Sequence, residues 1–133
     1  MSQENVEVVR AVLDAQRRGD WGAFPDLYDP EIEWEDVSGL WGDWGTRRGF
    51  EDVQAAWMAW FEAFEHVEFD IEEILAADDD VLTSIRVSGR GRVSGLRVEQ
   101  SIAVVWTVHD RRVVRVRGYR ERNKALEAAG LSV

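Results

Sequence analysis

One carboxylate in the sequence has the surroundings of an acid or base. Asp36 follows Ile32 and Trp34 at alternate positions of a short predicted strand, so the three side chains share one face. A carboxyl group beside apolar side chains has a raised pKa and can move a proton next to a carbonyl group. Asp36 is therefore the candidate catalytic residue. The alternative is that it only ends the strand and caps the next turn.

Aromatic residues are the second feature that indicates a pocket. The chain has seven tryptophans among 133 residues, and tryptophan lines ligand pockets as readily as it fills cores. Six residues are candidates for binding a ligand. Trp34, Trp57 and Trp106 would form the aromatic walls of the pocket. Tyr28, Arg86 or Tyr119 would polarise the ligand. The alternative is that the tryptophans pack a core and close the pocket entirely.

Several kinds of chemistry are excluded or disfavoured by the residues present. There is no cysteine, which excludes disulfides, thiolate metal sites and cysteine nucleophiles. His66 and His109 fall at the ends of predicted elements, outside any metal-ligand spacing. Gly89-x-Gly91 precedes no helix, so it does not predict a phosphate site. The sequence therefore predicts neither a metal nor a cofactor.

The net charge of −10 limits the partners of the chain. Nucleic acid and anionic membrane surfaces would repel so acidic a protein. The first residues lack a signal-peptide pattern, and no apolar run reaches the ~20 residues of a membrane span. We expect a cytoplasmic protein whose partner is a small molecule of unknown identity.

Apolar periodicity predicts four helices. Val6, Val9 and Leu13 recur at helical spacing in the first of them, and Gly19 ends it. A wide aromatic face marks the longest helix, which requires a large sheet opposite it. The predicted helices cover residues 3–18, 21–28, 50–64 and 121–129.

Alternation of apolar and polar residues predicts five strands. Ser94-Gly95 separates the two longest strands as a hairpin turn. Between the first strand and the long helix, Val37–Gly49 carries Trp41 and Trp44 among glycines, and we expect this loop to fold over something. The strands are Ile32–Asp36, Val67–Glu72, Val81–Arg92, Leu96–Val108 and Arg112–Arg120.

Consecutive strands of this kind form an antiparallel meander with the helices on one face, within a single domain spanning residues 1–133. Strand Leu96–Val108 is apolar on both faces, with Ala103 and Val105 on the second. Helices cover one face only, so the second face predicts a partner sheet, most simply in a homodimer.

Five segments in order give the chain a family resemblance. They close the first helix, enter the first strand, open the long helix and form the last strands and helix: Arg18-Gly19-Asp20, Asp29-Pro30-Glu31-Ile32-Glu33-Trp34, Arg48-Gly49-Phe50-Glu51-Asp52-Val53, Val104-Val105-Trp106-Thr107-Val108 and Ala125-Leu126-Glu127-Ala128-Ala129-Gly130-Leu131. On these segments the chain resembles the SnoaL-like (polyketide-cyclase-like) proteins of the nuclear-transport-factor-2-like superfamily. The resemblance implies an α+β conical half-barrel, in which a curved, mostly antiparallel sheet is wrapped by N-terminal helices around a pocket, and commonly a homodimer.

The resemblance leaves the reaction open, because the superfamily includes isomerases, cyclases, hydrolases, dehydratases and non-catalytic binders. The segment around Asp36 resembles the one that bears the general base in ketosteroid isomerases. The oxyanion-hole positions of those enzymes fall on or beside Val12 and Ala103, which cannot donate a hydrogen bond. Cyclase chemistry would use Asp36 or Glu99, and epoxide hydrolysis would use both with Arg86. We therefore expect acid/base chemistry on a small apolar, carbonyl-type ligand. The alternative is a non-catalytic ligand-binding or dimerisation module.

Overall fold

The computed structural model describes residues 2–36 and 45–131. The helices are α1 (Ser2–Arg18), α2 (Phe24–Leu27, after a 3-10 turn at Trp21–Ala23), α3 (Phe50–Ala63) and α4 (Arg122–Ala128). The strands are β1 (Tyr28–Asp36), β2 (Thr46–Arg48), β3 (Phe64–Ala77), β4 (Asp80–Gly91), β5 (Arg97–His109) and β6 (Arg112–Tyr119). Of the helices in these described ranges, none is long and apolar enough to cross a bilayer.

The strands form one curved, unclosed sheet in the order β2-β1-β6-β5-β4-β3. Every neighbouring pair is antiparallel except β1 and β6, which run parallel. The predicted α+β class and half-barrel architecture are confirmed. Because β2 and β3 are the two edges, the sheet stays open.

Strands β1 and β3 are longer than the sequence predicts, and β2 is a strand that it does not predict. β1 starts at Tyr28, and its pairing with β6 shifts register between Tyr28 and Glu33. This stretch contains Pro30, and proline has no N–H to donate. β2 lies inside the segment predicted as a loop. β3 is longer than predicted because two register shifts interrupt the alternation on which the prediction depended. The prediction for Trp41 and Trp44 lies outside the described residues.

The main core lies between the helices and one face of the sheet, which we call the inner face. α1 contributes Val9 and Val12 to this core, and α3 contributes Val53 and Trp57. The sheet contributes alternate strand residues, as expected for one face of a pleated sheet. The buried strand residues of the inner face include Ile32, Trp34, Val81, Ile85, Val104, Trp106 and Val116.

Helix α4 lies on the opposite, outer face of the sheet, where the sequence predicted no helix. Ala125 and Leu126 of α4 form a separate buried cluster with Leu82, Ala103 and Val105. The apolar second face of β5 is thus covered by the chain itself. The homodimer stays a prediction, and the apolar strip that motivated it is already buried by α4.

Polar contacts hold α4 at both ends. Arg122 donates to the two carboxylate oxygens of Glu73 on β3, at 2.8 and 3.1 Å. These hydrogen bonds lower the pKa of the Glu73 carboxyl. At the other end, the Arg117 guanidinium donates to the Ala128 carbonyl oxygen at 3.4 Å. A cation at this position also stabilises the negative end of a helix.

We predict that Leu126→Ala lowers the free energy of unfolding by about 2–4 kcal/mol, because it removes a buried side chain and leaves a cavity. Leu126 is 2% exposed, whereas Leu96, at the hairpin, is 69% exposed. Leu96→Ala is therefore the matched control and should change stability by less than about 0.5 kcal/mol. Urea unfolding measures both variants. If both variants lost the same free energy of unfolding, the conclusion that α4 packs against the outer face of the sheet would be contradicted.

Candidate functional site

Three of the tryptophans predicted to line a pocket fill the interior instead. Trp34, Trp57 and Trp106 are at most 2% exposed. The ring centroid of Trp34 lies 5.4 Å from that of Trp57 and 5.8 Å from that of Trp106, both in edge-to-face geometry. Edge-to-face packing at this spacing is favourable and leaves no room between the rings. These residues therefore join α3 to β1 and β5 as core.

Tyr28 is also part of this core. Its ring packs edge-to-face against Phe24 at 4.9 Å, and Trp34 lies 6.2 Å away. The Tyr28 hydroxyl accepts a hydrogen bond of 2.7 Å from the buried side chain of Gln16 on α1. Burial raises the pKa of the Tyr28 phenol far above its ordinary value. Tyr28 therefore remains neutral and ties α1 to the start of β1.

Asp36 lies where the sequence argument placed it, on the inner face at the end of β1. Its register partner on β6 is Gly118, next to the Trp34–Val116 pair. Its side chain is partly buried, and its backbone N–H donates to the Gly45 carbonyl oxygen at 3.0 Å. Asp36 is thus the last residue of β1, beside a residue that has no side chain. Its catalytic role stays a prediction.

Arg86 and Tyr119 lie on the outer face, so they cannot form one site with the three core tryptophans. Arg86 contacts Glu72 at 3.4 Å and Glu99 at 3.9 Å. Tyr119 pairs with Ala103 of the outer-face strip and packs against the α4 cluster. Alternation along a strand sends neighbouring side chains to opposite faces, which separates both residues from Trp106. The expectation that these residues would share the tryptophan pocket is corrected accordingly.

A pocket of about 420 Å³ opens at the end of the sheet that carries the β4–β5 hairpin. We call it the hairpin pocket. Trp60 of α3 and Phe64 at the start of β3 form its wall, and β4 and β5 form its floor. The complete lining is Trp60, Phe64, Val87, Ser88, Gly89, Arg97, Val98, Glu99 and Gln100.

Strand register decides which floor side chains face the pocket. Val87 belongs to the inner-face core and pairs with Gln100, and Gly89 pairs with Val98. These four residues therefore share the inner face. The alternate residues of β5, Arg97 and Glu99, point to the outer face, where their side chains lie 3.3 Å apart.

A larger opening, of about 570 Å³, lies at the start of α3. Pro25, Tyr28 and Pro30 line one side, and Arg48 with Phe50 to Asp52 lines the other. This groove is more open than the hairpin pocket, and its charged side chains are largely exposed and ion-paired, Arg48 with Glu33 at 3.6 Å. The hairpin pocket is the better candidate for a ligand site because it is more enclosed than this groove.

The candidate site residues from the sequence do not include those of the hairpin pocket, although one signal for them was available. Gln100 interrupts an apolar series on the inner face of β5, between Val98 and Ile102. A polar residue at such a position marks the place where the core ends and a pocket begins. Among residues 2–36 and 45–131, no group of three or more histidines and carboxylates could hold a metal ion.

Comparison with known proteins gives a family and a fold. The sequence model of the SnoaL-like domain matches residues 9–116. No protein in the curated set matches the chain.

Solved structures of similar fold include enzymes and proteins named only by fold. An NTF2-like protein from Burkholderia xenovorans has 25% identity and a TM-score of 0.77, over 97% of this chain and 98% of that one. A putative SnoaL-like polyketide cyclase from Jannaschia has 20% identity and a TM-score of 0.79, over 100% and 96%. An LEH-like epoxide hydrolase from M. tuberculosis has 20% identity and a TM-score of 0.75, over 96% and 90%. At 20% identity, the putative cyclase and the epoxide hydrolase show the fold alone.

We predict that the Gln16–Tyr28 hydrogen bond is visible in a double-mutant cycle. Tyr28→Phe and Gln16→Met each leave one buried polar group without its partner, and each should cost about 1–3 kcal/mol. The double variant removes both partners, so its loss should be smaller than the sum of the single losses by about 1 kcal/mol. Urea unfolding of the four proteins gives the coupling. If the loss of unfolding free energy in the double variant equalled the sum of the two single losses, the hydrogen bond would contribute nothing to stability.

Proposed function

This chain belongs to the SnoaL-like domain family, and we propose that it binds a small, largely apolar molecule in the hairpin pocket. The observation that carries the proposal is an aromatic-walled volume of about 420 Å³ on the inner face, between α3 and the β4–β5 hairpin. Ligand pockets typically have volumes of about 300–1,000 Å³ and combine apolar walls with few polar groups.

The wall of the pocket is held in place by ring packing. Trp60 and Phe64 have ring centroids 4.9 Å apart and planes inclined by 36°. Trp60 also lies at a similar tilt of 34° to Phe69, 6.2 Å away. Because neighbouring rings restrain it on both sides, Trp60 offers a fixed aromatic surface. A flat apolar ligand can pack against such a surface with little loss of side-chain freedom.

The rim of the pocket exposes apolar area that a ligand would cover. Val98 lines the pocket and is 43% exposed. Each Å² of apolar surface removed from water stabilises a complex by roughly 25 cal/mol before the costs of association. The rim therefore adds to the affinity for an apolar ligand and gives no help to a strongly hydrated one.

We predict that Val98→Trp fills the hairpin pocket and weakens binding of a two-ring probe, 2-naphthol, at least tenfold. Val93→Trp is the matched control, because Val93 is fully exposed on the same hairpin and does not line the pocket. Binding is measured by saturation-transfer NMR and titration calorimetry, with the fold checked by circular dichroism. Tryptophan fluorescence is also recorded with and without the probe, in the wild type and in Trp60→Phe. A fluorescence change that is lost in Trp60→Phe comes from Trp60. Equal binding by the two tryptophan variants would overturn the hairpin pocket as the site.

Acid/base chemistry at Asp36 is the second candidate function. Its support is the register of β1, which pairs Asp36 with Gly118 and gives it the same strand parity as the inner-face residue Trp34. A carboxylate there could take a proton from the carbon next to a ligand carbonyl and return it to the enolate. The epoxide hydrolase and the putative polyketide cyclase named above share this fold.

We predict for this candidate that Asp36→Asn slows α-proton exchange of 2-tetralone in D2O about 10²- to 10⁴-fold, the range of a positioned general base. Asp70→Asn is the control, because Asp70 pairs with Arg86 on the outer face and should leave the rate unchanged. NMR follows the exchange. Full activity in Asp36→Asn would remove Asp36 from the catalytic role, and an unaccelerated rate in the wild type would reject this chemistry for the probe.

A further inference from the structure

Among the described residues, the inward-facing side chains of the hairpin pocket carry no charge. On the floor they are Val87, Val98 and Gln100, with Gly89 contributing only backbone, and the walls are aromatic. Glu99 and Arg97 belong to the floor, but their side chains point to the outer face. There the two form an ion pair, and Glu99 also faces Arg86 at 3.9 Å. The nearby charges are therefore neutralised on the far side of the sheet.

This separation disfavours a charged ligand. An ion that left water for the hairpin pocket would lose hydration, and the described side chains that line its inner face offer it no opposite charge. The whole chain carries a net charge of −10, which further disfavours an anionic ligand. A neutral molecule has no ionic hydration to lose and is not repelled by the net charge of the chain.

Among the described side chains of the floor, Gln100 places a polar group on the inner face of the pocket. It is partly buried among apolar neighbours, and within the described chain its side-chain amide makes no hydrogen bond to another residue. An amide presents a carbonyl acceptor and two N–H donors. It can therefore accept from a hydroxyl group or donate to a carbonyl oxygen, and in either case the ligand stays neutral.

We infer that the ligand of the hairpin pocket is a neutral one- or two-ring molecule with a hydroxyl or carbonyl group, which hydrogen-bonds to Gln100 while its rings pack against Trp60 and Phe64. The inference rests on the proposed function and specifies its ligand class. Gln100 acts as the specificity-determining residue, because the apolar remainder of the pocket does not distinguish one apolar ring system from another of similar size.

Three matched probes test the inference: 2-naphthol, 2-methylnaphthalene and 2-naphthoate. They share one ring system and carry a neutral hydroxyl, a methyl group and a carboxylate. We expect 2-naphthol to bind the wild type about threefold to tenfold more tightly than 2-methylnaphthalene, the factor of one net hydrogen bond. We expect 2-naphthoate to bind at least tenfold more weakly than 2-naphthol. Titration calorimetry measures the three affinities.

Gln100→Met keeps the length of the side chain and removes its hydrogen-bonding groups. We expect this variant to bind 2-naphthol and 2-methylnaphthalene equally, with an unchanged affinity for the methyl compound. Gln54→Met is the matched control, since Gln54 lies on α3 and does not line the hairpin pocket. It should keep the wild-type preference.

The outcomes separate the inference from the proposed function. If the wild type binds the probes without preferring the hydroxyl, or prefers the carboxylate, the neutral-ligand inference is overturned and the proposed function stands. If the preference survives in Gln100→Met, the role of Gln100 is overturned. If none of the three probes binds, the hairpin pocket is rejected as a site for this class of molecule and the proposed function fails with it.

Discussion

The packing of Trp34 between Trp57 and Trp106 is the contact on which the rest of the structure depends. It joins β1 and β5 to α3 across the interior, with ring centroids 5.4 and 5.8 Å apart. Rings packed so closely leave no ligand-sized space, which moves the usable cavity toward the hairpin end of the sheet. There the inner face carries Gly89 and Val98 in place of large side chains, and Trp60 lines open space. Bulky core residues thus determine where the pocket lies.

Much of the fold follows from local patterns in the sequence. Helical spacing gives α1 and α3, and alternation gives β4, β5 and β6 to within a few residues. The errors arise where tertiary pairing overrides the pattern. Thr46–Arg48 has no apolar alternation and becomes strand β2 because β1 offers it an unpaired edge. β3 exceeds its predicted length because bulges break its period while its pairing with β4 continues.

The candidate site was less predictable, because a tryptophan that fills a core and one that lines a pocket look alike in sequence. Trp57 and Trp60 lie one turn apart on α3, and only the curvature of the sheet decides that the first is enclosed and the second meets the opening. Parity predicted correctly that Asp36 faces inward with Trp34. Strand parity alone could not say which face of β4 is the inner one, so it could not exclude Arg86 from the pocket.

The division between the two faces also explains how so acidic a chain can contain an uncharged pocket. On β4 and β5, charged residues alternate with apolar ones, so one register places Arg86, Arg97 and Glu99 together on the outer face. The same register collects Val87, Val98 and Gln100 on the inner face. A shift of the strand register by one residue would exchange the two sets of side chains between the faces. The charged side chains would then lie against Trp60 and Phe64. The burial of the inner-face core excludes that slip, so the interaction that stabilises the sheet also determines the polarity of the pocket.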